Sequence, residues 1–567
     1  MADASTRRLC GQIISTHFGP LTAKVAETLL TRGRLTFPTV VRFSQLKPRT
    51  VRTSILTLIQ HNCLWHATDD TDEVLEFNTE ECLNRLSFGF YAYQAQLLFG
   101  DAASEIIQLV LDHGKLRPPD IMSNLVHDSR KGNAVFAQAL HTLVSKRYLK
   151  PSTTLSHISP RDKRIKYEAD ERAKLTGLPT PKQLREVKVV AYSRLKREEE
   201  EAEKVGLKRK APDTIPKPKK RKSTSAINKT VDETVVDESV YFRVNYDRFN
   251  IHLRNSLIER AARERFNDGA ALTIRAALEL TLPNQMSLAD VRSDPISISN
   301  IIQHLNSPEN EATLISGLVH SSKRPSPAAC IKEYIGMLAS ADNPTPEGKA
   351  SAFLTFTLGG GGSSVGGSTS HNHKIQVDFE TLTRRLRLRL LEDITLEKHG
   401  PPGLRILRLL LSLPGSQPKL DEKQIAKNVM MVAKDVRSFL TALSADGIVS
   451  IAEVPKTADR NPTRMFYLWY VDVERALTGV LHGLYKTLYN ISARRQAERE
   501  DPMVVAVLEK RERSDVKEDE GLLSAMEKDT IRLWEDTEER LGVLEGRIQE
   551  CVFIVRELGK VGGISDE

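Results

Sequence analysis

One spacing of apolar residues occurs three times along the chain. The first copy has apolar side chains at Val51, Ile55, Leu58, Ile59, Cys63 and Leu64. Adding 85 or 385 to these numbers gives the other two copies, which are Phe136, Leu140, Leu143, Val144, Tyr148 and Leu149, and Val436, Leu440, Leu443, Ser444, Ile448 and Val449. Steps of four, three and one lie on one stripe of an α-helix, and the last pair begins an extended segment. Only Ser444 breaks the match, so the pattern predicts a duplicated small domain.

The segments around each copy predict further helices and a β-hairpin. Gly33 and Pro38 precede the first copy, and they are echoed by Gly114 and Pro119 before the second. A glycine can end a helix in the left-handed conformation, and a proline fits the first turn of the next helix. After the last copy, two β-runs are predicted at 448–454 and 465–471, joined by a polar loop. Three helices followed by such a hairpin describe a winged helix, a variant of the helix-turn-helix.

A weaker match to this spacing lies between the copy at 136–149 and the copy at 436–449. It keeps the helical spacing at Ile331, Ile335, Leu338 and Ala339. Strands are predicted at 352–358 and 375–379, on either side of the glycine run 359–367. The run lacks the Lys and Ser/Thr of a phosphate-binding loop, and no helix follows it directly. We therefore predict that it is a flexible wing.

Beyond the last copy the apolar spacing changes to the alternating four-three steps of a coiled coil. One seam runs from Leu477 to Ile491 and another from Trp534 to Leu558. Two such helices predict an antiparallel hairpin, with a self-dimerising zipper as the alternative. The predicted fold class is mainly α with small β-hairpins, namely four tandem winged-helix domains followed by a C-terminal antiparallel coiled-coil hairpin.

The predicted domain bounds follow from these patterns. We call the winged helices the first, second, third and fourth repeats, at 1–84, 85–169, 239–380 and 381–475. Residues 170–238 are charged and punctuated by proline, which predicts a disordered linker, and residues 476–560 are predicted to form the coiled-coil hairpin. Basic clusters in the linker suit a bipartite nuclear-import signal, and the alternative is a solvated charge run; they comprise Lys208, Arg209, Lys210, Lys217, Lys219, Lys220, Arg221 and Lys222.

Composition narrows the class of protein. The formal net charge is +8 and the pI is near 9.0, which suits a nuclear protein that faces nucleic acid. Five cysteines lie far apart with no paired spacing, which favours a reducing compartment over a zinc ribbon or a disulfide framework. No apolar run predicts a membrane span or a secretory signal, so we expect a soluble intracellular protein.

The sequence contains none of the common catalytic motifs. Walker loops, paired-histidine zinc motifs, nucleophile elbows and clustered magnesium-binding aspartates are all missing from the sequence. His371 and His373 lie beside the glycine run without Cys or carboxylate neighbours, so they are interpreted as polar loop residues. We therefore expect no cofactor, no metal and no small-molecule substrate.

Cations on the predicted recognition helices and wing could neutralise DNA phosphates. The candidates are Lys47, Arg49 and Arg52 in the first repeat, and Lys434, Arg437, Arg460 and Arg464 in the fourth. The alternative is that these residues form the solvated face of winged helices that dock only to proteins.

Three short motifs carry a resemblance to a known family. They are His17, Phe18 and Gly19, then Gln60, His61 and Asn62, and finally Gly114, Lys115 and Leu116. These motifs resemble the N-terminal part of the winged-helix subunit of eukaryotic RNA polymerase III, the largest member of its three-subunit initiation subcomplex. The order of tandem winged helices, charged linker and coiled coil is similar to that family, and in plan to the alpha subunit of TFIIE.

The resemblance implies a non-catalytic nuclear subunit. Members sit on the polymerase clamp, join the two other heterotrimer subunits and help to open promoters of genes for transfer RNA, 5S rRNA and other short transcripts. The expected partners therefore include initiation factor TFIIIB and promoter DNA, single-stranded DNA among it, and no membrane. Two other classes stay open, a free DNA-binding regulator that dimerises through the coiled coil and a protein-only winged-helix scaffold.

Overall fold

A computed structural model describes residues 3–69, 72–128, 132–175, 180–209, 234–318, 326–340, 343, 351–357, 374–412, 419–455, 465–518 and 520–562. The chain divides into two compact units, Met1–Phe249 and Asn250–Glu567, which we call the N-terminal and C-terminal units. Each unit is described by itself. None of the described helices is both long enough and apolar enough to cross a bilayer.

The N-terminal unit contains helices and short strands. Its helices are α1 Ala4–Phe18, α2 Pro20–Arg32, α3 Phe37–Ser44, α4 Pro48–Gln60, α5 Thr79–Asn84, α6 Phe88–Phe99, α7 Asp101–His113, α8 Pro118–Asp128, α9 Asn133–Ser145, α10 Pro160–Ala173 and α11 Pro181–Lys204. Its strands are β1 Leu35–Thr36, β2 Leu64–Asp69, β3 Asp72–Phe77, β4 Leu149–Pro151, β5 Leu207–Arg209, β6 Thr234–Val236 and β7 Phe242–Val244.

The C-terminal unit has the same mixture of elements. Its helices are α12 Tyr246–Arg265, which begins at the end of the N-terminal unit, α13 Asp268–Thr281, α14 Ile298–His304, α15 Pro308–Ser316, α16 Pro327–Leu338, α17 Phe379–Ser412, α18 Glu422–Val429, α19 Ala433–Ala445, α20 Val473–Arg499, α21 Pro502–Arg511, α22 Ser514–Glu518 and α23 Ala525–Val552. Its strands are β8 Ile296–Ser297, β9 Leu354–Thr357, β10 Lys374–Val377, β11 Leu420–Asp421, β12 Ser450–Pro455 and β13 Met465–Tyr470.

The three matched copies share one backbone geometry where their helices α4, α9 and α19 end. Each helix is followed by a residue with positive φ at the equivalent position, which is Asn62, Arg147 or Gly447. The next amide then bonds back to the carbonyl of the matched leucine in all three copies, with N–O distances of 2.9 Å for Cys63 to Leu58, 2.9 Å for Tyr148 to Leu143 and 3.0 Å for Ile448 to Leu443. The predicted correspondence is therefore confirmed in the backbone as well as in the apolar stripe.

Three small sheets also share one strand order. In each, a two-residue strand that precedes a helix pairs with the second strand of the hairpin, giving the orders β1-β3-β2, β8-β10-β9 and β11-β13-β12. All the pairings are antiparallel. Helix, short strand, two helices and a paired hairpin form a winged helix, so the predicted class of mainly helical winged-helix domains with small hairpins is confirmed.

The second repeat extends further than its predicted boundary at residue 169. Strand β4 pairs with β7, so that Leu149 lies opposite Val244, and Leu116 bridges to Phe242 on the other side of β7. Phe242, Val244 and Phe249 are buried in the same apolar core as Phe136 and Leu140. The boundary at 169 was wrong because the second wing strand lies about ninety residues beyond the first, and it had been assigned to the third repeat.

The prediction of a disordered linker at 170–238 was also wrong for the described residues. Helices α10 and α11 form a hairpin, and β5 pairs with β6. The two helices bury few side chains, among them Tyr167 of α10 and Val187 and Ala191 of α11. The many charged residues around this stripe conceal its apolar spacing in the sequence.

The third repeat matches its predicted strands approximately and ends its helix early. The predicted strands 352–358 and 375–379 are β9 and β10, and the glycine run 359–367 lies outside the described residues. Helix α16 buries Ile331, Ile335 and Leu338 as predicted. The residue with positive φ after it is Ser340, two positions before the place that the spacing of the other copies gives.

The C-terminal helices run antiparallel. Arg495 of α20 donates to Glu538 of α23 at 2.9 Å, and Lys510 of α21 donates to Glu527 at 2.8 Å. The predicted coiled-coil region ended at residue 560, but the segment after α23 instead packs against the repeats. Its Val555 joins the core of the fourth repeat, and Val561, one residue beyond that limit, joins the core of the third.

Candidate nucleic-acid interface

The candidate cations of the first repeat lie together at the start of α4. Lys47 is the N-cap residue, Arg49 and Arg52 follow in the first turns, and all three side chains are exposed. Gln45, with φ 55°, forms the tight turn between α3 and α4 that precedes them. In a helix-turn-helix this end of the recognition helix meets the DNA major groove, so the cations lie where phosphates or bases would be contacted.

Three arginines of the first repeat lie close to phenylalanine rings. The Arg52 guanidinium carbon lies 5.6 Å from the ring centroid of Phe37. Arg32 and Arg42 lie 3.8 Å and 4.7 Å from the ring centroid of Phe43. We did not select Arg32 and Arg42 from the sequence, although the adjacent Arg42 and Phe43 on a predicted helix were a usable signal. Guanidinium groups on aromatic faces can still bind phosphates through their free N–H groups.

The fourth repeat has the same turn before its recognition helix, but apolar residues replace polar and basic ones there. Met430 occupies the position of Gln45 with φ 58°, and its side chain is 92% exposed. Val432, which replaces Lys47, is 68% exposed. Lys434 is exposed at the position of Arg49. The turn before the recognition helix is therefore apolar in the fourth repeat, whereas the helix itself begins with an exposed lysine.

Arg437 of the fourth repeat is already paired. It corresponds to Arg52, but its guanidinium lies 3.0 Å from the carboxylate of Glu422, which takes the place of Phe37. The hydrogen bond to Glu422 raises the pKa of Arg437. The other two candidates, Arg460 and Arg464, lie outside the described residues.

The hairpins of the two repeats also differ in charge. In the first repeat the sequence at the tip carries four carboxylates, Asp69, Asp70, Asp72 and Glu73. In the fourth repeat the loop between β12 and β13 carries Lys456, Arg460 and Arg464. An acidic tip repels phosphates, so in the first repeat the helix, and not the wing, is the candidate contact.

The import candidates are divided between described and undescribed residues. Lys208 lies on β5, and its ammonium group lies 2.8 Å from the Asp237 carboxylate. Arg209 ends that strand. Lys210, Lys217, Lys219, Lys220, Arg221 and Lys222 lie outside the described residues.

The three motifs that carry the family resemblance meet at one seam between the first and second repeats. The Gln60 amide donates to the carbonyl oxygens of His113 and Lys115 at 3.0 Å and 2.8 Å. The rings of Phe18 and His61 lie 4.6 Å apart. Residues that are far apart in sequence are therefore in direct contact at this seam.

Gly114 is confined within this seam. Its φ is 79°, and a Cβ atom there would lie 2.5 Å from the Gln60 carbonyl oxygen. Arg85 closes the other side, with its guanidinium carbon 4.4 Å from the ring centroid of Phe18. A side chain at position 114 would therefore force the two repeats apart.

Burial lowers the pKa of two histidines of the seam. Desolvation, with help from Arg85, lowers the pKa of His61 to about 3. Desolvation and the nearby Lys115 lower the pKa of His157 to about 4. Lys115 itself has its pKa lowered to about 8 by burial and by Arg243. At neutral pH, His61 and His157 are thus uncharged and lie beside the cations of Arg85 and Lys115.

Acidification is expected to weaken the seam. The pKa values of His61 and His157 are lower in the folded protein than the ordinary value of 6.5. The stability that the two neutral histidines contribute to the folded state is therefore present above pH 6.5 and is lost as the pH falls toward 3 to 4. At pH 5 the penalty for His61 is at most about 2 kcal/mol. Melting curves at pH 7 and pH 5 should therefore differ less for His61→Gln than for the wild type. An identical pH dependence of the two proteins would contradict the buried neutral His61.

The described residues contain neither a metal-binding cluster of His, Cys, Asp or Glu side chains nor a disulfide. No group of three or more His, Cys, Asp or Glu side chains there could hold a metal ion. All five cysteines are free thiols, and four of them are buried.

Comparisons with known families cover much of the chain. Residues 8–68 match the RNA polymerase III subunit RPC82 helix-turn-helix domain. Residues 138–333 match RNA polymerase III subunit RPC82. Residues 391–471 match the C-terminal winged-helix domain of POLR3C. The first and last matches contain the two candidate recognition helices α4 and α19.

Full-length relatives give the same result. The chain is 24% identical to DNA-directed RNA polymerase III subunit RPC3 of Rattus norvegicus, over 97% of both chains. It is 26% identical to RPC-3 of Coccidioides immitis, over 97% of this chain and 99% of the relative. A shorter match to rpc3 of Ajellomyces capsulatus reaches 36% identity over 32% of this chain and 27% of the relative. The protein therefore belongs to the family of RNA polymerase III subunits that includes RPC3 and RPC82.

Proposed function

We propose that this chain is a non-catalytic core subunit of DNA-directed RNA polymerase III that acts in promoter opening and initiation at genes for transfer RNA, 5S rRNA and other small RNAs. The observation that carries the proposal is similarity to polymerase III subunits over nearly the whole chain. Repeated winged helices support it, because such modules bind nucleic acid and neighbouring proteins. A subunit of this kind works in the nucleus.

The proposed architecture is four tandem winged helices followed by a coiled-coil hairpin. Three sheets with the same strand order and the bridged strands β4 and β7 support the count of four. The antiparallel contacts of α20 and α21 with α23 support the hairpin. The proposed protein partners are the polymerase clamp, the two other heterotrimer subunits and initiation factor TFIIIB.

Purification from nuclear extract tests the proposal. A tagged copy of the chain should recover the two largest subunits of RNA polymerase III in comparable amounts. A tagged copy that lacks residues 1–249 serves to ask whether the C-terminal unit alone supports assembly. Recovery of the chain without any polymerase subunit would end the proposal.

We further propose that the first repeat contacts promoter DNA through the start of α4. Lys47, Arg49 and Arg52 form the contact, and single-stranded as well as duplex DNA is a suitable ligand. Their exposure supports this role, as do the aromatic rings beneath the neighbouring arginines. The equivalent turn of the fourth repeat is apolar, so it suits a protein contact better.

Reversing Arg49 and Arg52 to Glu should weaken duplex binding and reduce the slope of log affinity against log salt by about 2. Filter binding over a salt series measures both effects. The matched control reverses Lys434 and Arg437 at the equivalent positions of the fourth repeat, and it should change the slope by less than about 1. Equal changes for the two pairs would contradict the assignment of DNA contact to the first repeat.

A protein-only scaffold is the second candidate, and the exposed Met430 and Val432 favour it. A scaffold should show negligible affinity for single-stranded and duplex DNA even at low salt. The same filter-binding series therefore separates the two candidates. Light scattering on the isolated chain addresses the third class, because a zipper-dimerised regulator would have twice the monomer mass.

A further inference from the structure

Helix α11 presents a second face, with an apolar centre between cations, that no described part of the chain covers. The helix packs on α10, and its inner stripe includes the buried Val187 and Ala191. The opposite face carries an outer stripe with steps of three, four, three and four, which consists of Lys182, Arg185, Val189, Tyr192 and Lys196. All five of these side chains are exposed. A helix with two such faces has the spacing to pack against a helix on each side.

The hairpin of α10 and α11 is complete without the outer stripe. Lys163 lies 2.7 Å from the carboxylate of Glu198, and Arg194 lies 3.2 Å from that of Asp170. The Arg194 guanidinium carbon also lies 4.3 Å from the ring centroid of Tyr167. These contacts connect the inner faces of the two helices, so the outer stripe is not needed to hold the hairpin.

The centre of the outer stripe is more apolar than an ordinary solvated face. Val189 is 68% exposed and Tyr192 is 58% exposed, and Val190 beside them is also exposed. Valine is a weak helix former, so adjacent exposed valines in a helix gain nothing from local propensity. Clustered exposed apolar side chains rimmed by polar ones mark contact surfaces.

Charge identifies the kind of partner. Residues 181–197 hold six cations, Lys182, Arg185, Lys188, Arg194, Lys196 and Arg197, against the single carboxylate of Glu186, whereas residues 198–203 at the end of the same helix hold five glutamates. In the described part of the chain, no carboxylate forms a salt bridge with Lys182, Arg185 or Lys196. An acidic surface would gain from these three cations at both ends of the apolar centre.

We propose that the outer stripe of α11 binds an acidic amphipathic helix of another protein in the assembly. Apolar side chains of that helix pack on Val189 and Tyr192, and its carboxylates pair with Lys182, Arg185 and Lys196. The heptad-like spacing favours a helix over an extended strand, because a helix face offers no free backbone groups for strand pairing. Exposed valines favour protein over nucleic acid, since phosphates offer an aliphatic side chain no favourable contact.

Site-specific photocrosslinking in the assembled complex tests this proposal, which uses the polymerase assembly proposed above. Benzoylphenylalanine replaces Val189, and the matched control places it at Ala169, an exposed position of α10. Co-purification of the largest polymerase subunits is checked first, so a failure to assemble is distinguished from a failure to crosslink. The expected result is a crosslink from position 189, and none from 169, to a segment with excess Asp and Glu and a helical apolar spacing.

A charge reversal gives the second measurement. Arg185→Glu with Lys196→Glu should lower the crosslink yield from position 189 at least tenfold, whereas Arg161→Glu with Lys166→Glu on α10 should change it less than twofold. Hydrogen exchange at Val187 and Ala191 checks that the hairpin stays folded. The proposal would be overturned by a crosslink that forms only with nucleic acid, only with another copy of this chain, or with a basic segment. Equal crosslinking from positions 189 and 169 would also overturn it. So would an unchanged yield in the Arg185→Glu with Lys196→Glu variant.

Discussion

Replacing Leu440 by Asp is expected to unfold the core of the fourth repeat. Leu440 lies in the middle of α19 and is fully buried, in one cluster with Leu407 and Trp469. An unpaired carboxylate in such a core costs several kcal/mol, and in practice at least about 4 kcal/mol when packing is also lost. Because a domain is stable by only about 5–15 kcal/mol, that loss removes most of its margin.

Hydrogen exchange resolved along the chain is the suitable measurement, because a chain of several domains does not unfold in one step. Protection should fall throughout 422–449 in the Leu440→Asp protein. Thr441→Asp is the matched control, since Thr441 is the next residue and its side chain is exposed. Unchanged protection in the Leu440 variant would show that the helical register is wrong.

Removing the segment after α23 is expected to have a still broader effect within the C-terminal unit. This segment, residues 553–562, contributes five buried apolar side chains, namely Phe553, Ile554, Val555, Leu558 and Val561. Val555 packs in the core of the fourth repeat and Val561 in that of the third. Phe553, Ile554 and Leu558 pack with Ile251 and Leu257 of α12. The segment therefore belongs to three cores at once.

The size of the effect follows from burial. Five such side chains contribute roughly 1.5–3 kcal/mol each, so the loss is on the order of 10 kcal/mol before relaxation. The segment also carries a buried ion pair between Arg556 and Glu557, which the truncation removes whole, so neither charge is left unpaired. Desolvation by burial raises the pKa of the Glu557 carboxyl, but the neighbouring Arg556 guanidinium lowers it by more. The pKa of Glu557 is therefore below its ordinary value.

A truncation after Val552 should lose exchange protection in α12, α16 and α19 together and become sensitive to protease. The matched control is a truncation after Gly562, which keeps the whole segment and should behave like the full chain. Leu558→Asp is a milder point variant that should weaken the α12 contact first. Loss of protection confined to α23 would contradict the role of the segment in the two repeats.

The features that could be predicted from the sequence are those set by local spacing. The stripe Val436, Leu440 and Leu443 recurs in three copies because each copy must bury one face of the same helix. The positive φ of Gly447 could be anticipated from its residue type. That of Arg147 could be inferred only from the repeat, since an arginine carries no such signal.

Features that depend on pairing across distant sequence could not be predicted. Strand β7 belongs to the second repeat because it pairs with β4, and nothing in the three residues of β7 names that partner. The α10–α11 hairpin was missed for a related reason, since each helix alone is highly charged and its few buried residues, such as Tyr167 and Ala191, are widely spaced. Strand and helix partners are chosen by three-dimensional packing, which local composition does not encode.

The candidate site shows the same division. Sequence spacing placed Arg52 and Arg437 at equivalent positions of two recognition helices. Only the structure showed that Arg52 faces the Phe37 ring while Arg437 is neutralised by Glu422. The partner residue lies on the preceding helix, fifteen positions away in both cases, so its effect depends on how two helices cross.

The sequence by itself determined the repeated helical unit, its turns, the family and the lack of catalytic motifs, because these depend on residue type and short-range spacing. Tertiary structure decided where the second repeat ends, which cations remain free, and how the segment after α23 joins two repeats. It also brought the three short family motifs into one seam. These outcomes arise from contacts between residues far apart in the chain, and their free energies exist only once the chain has folded.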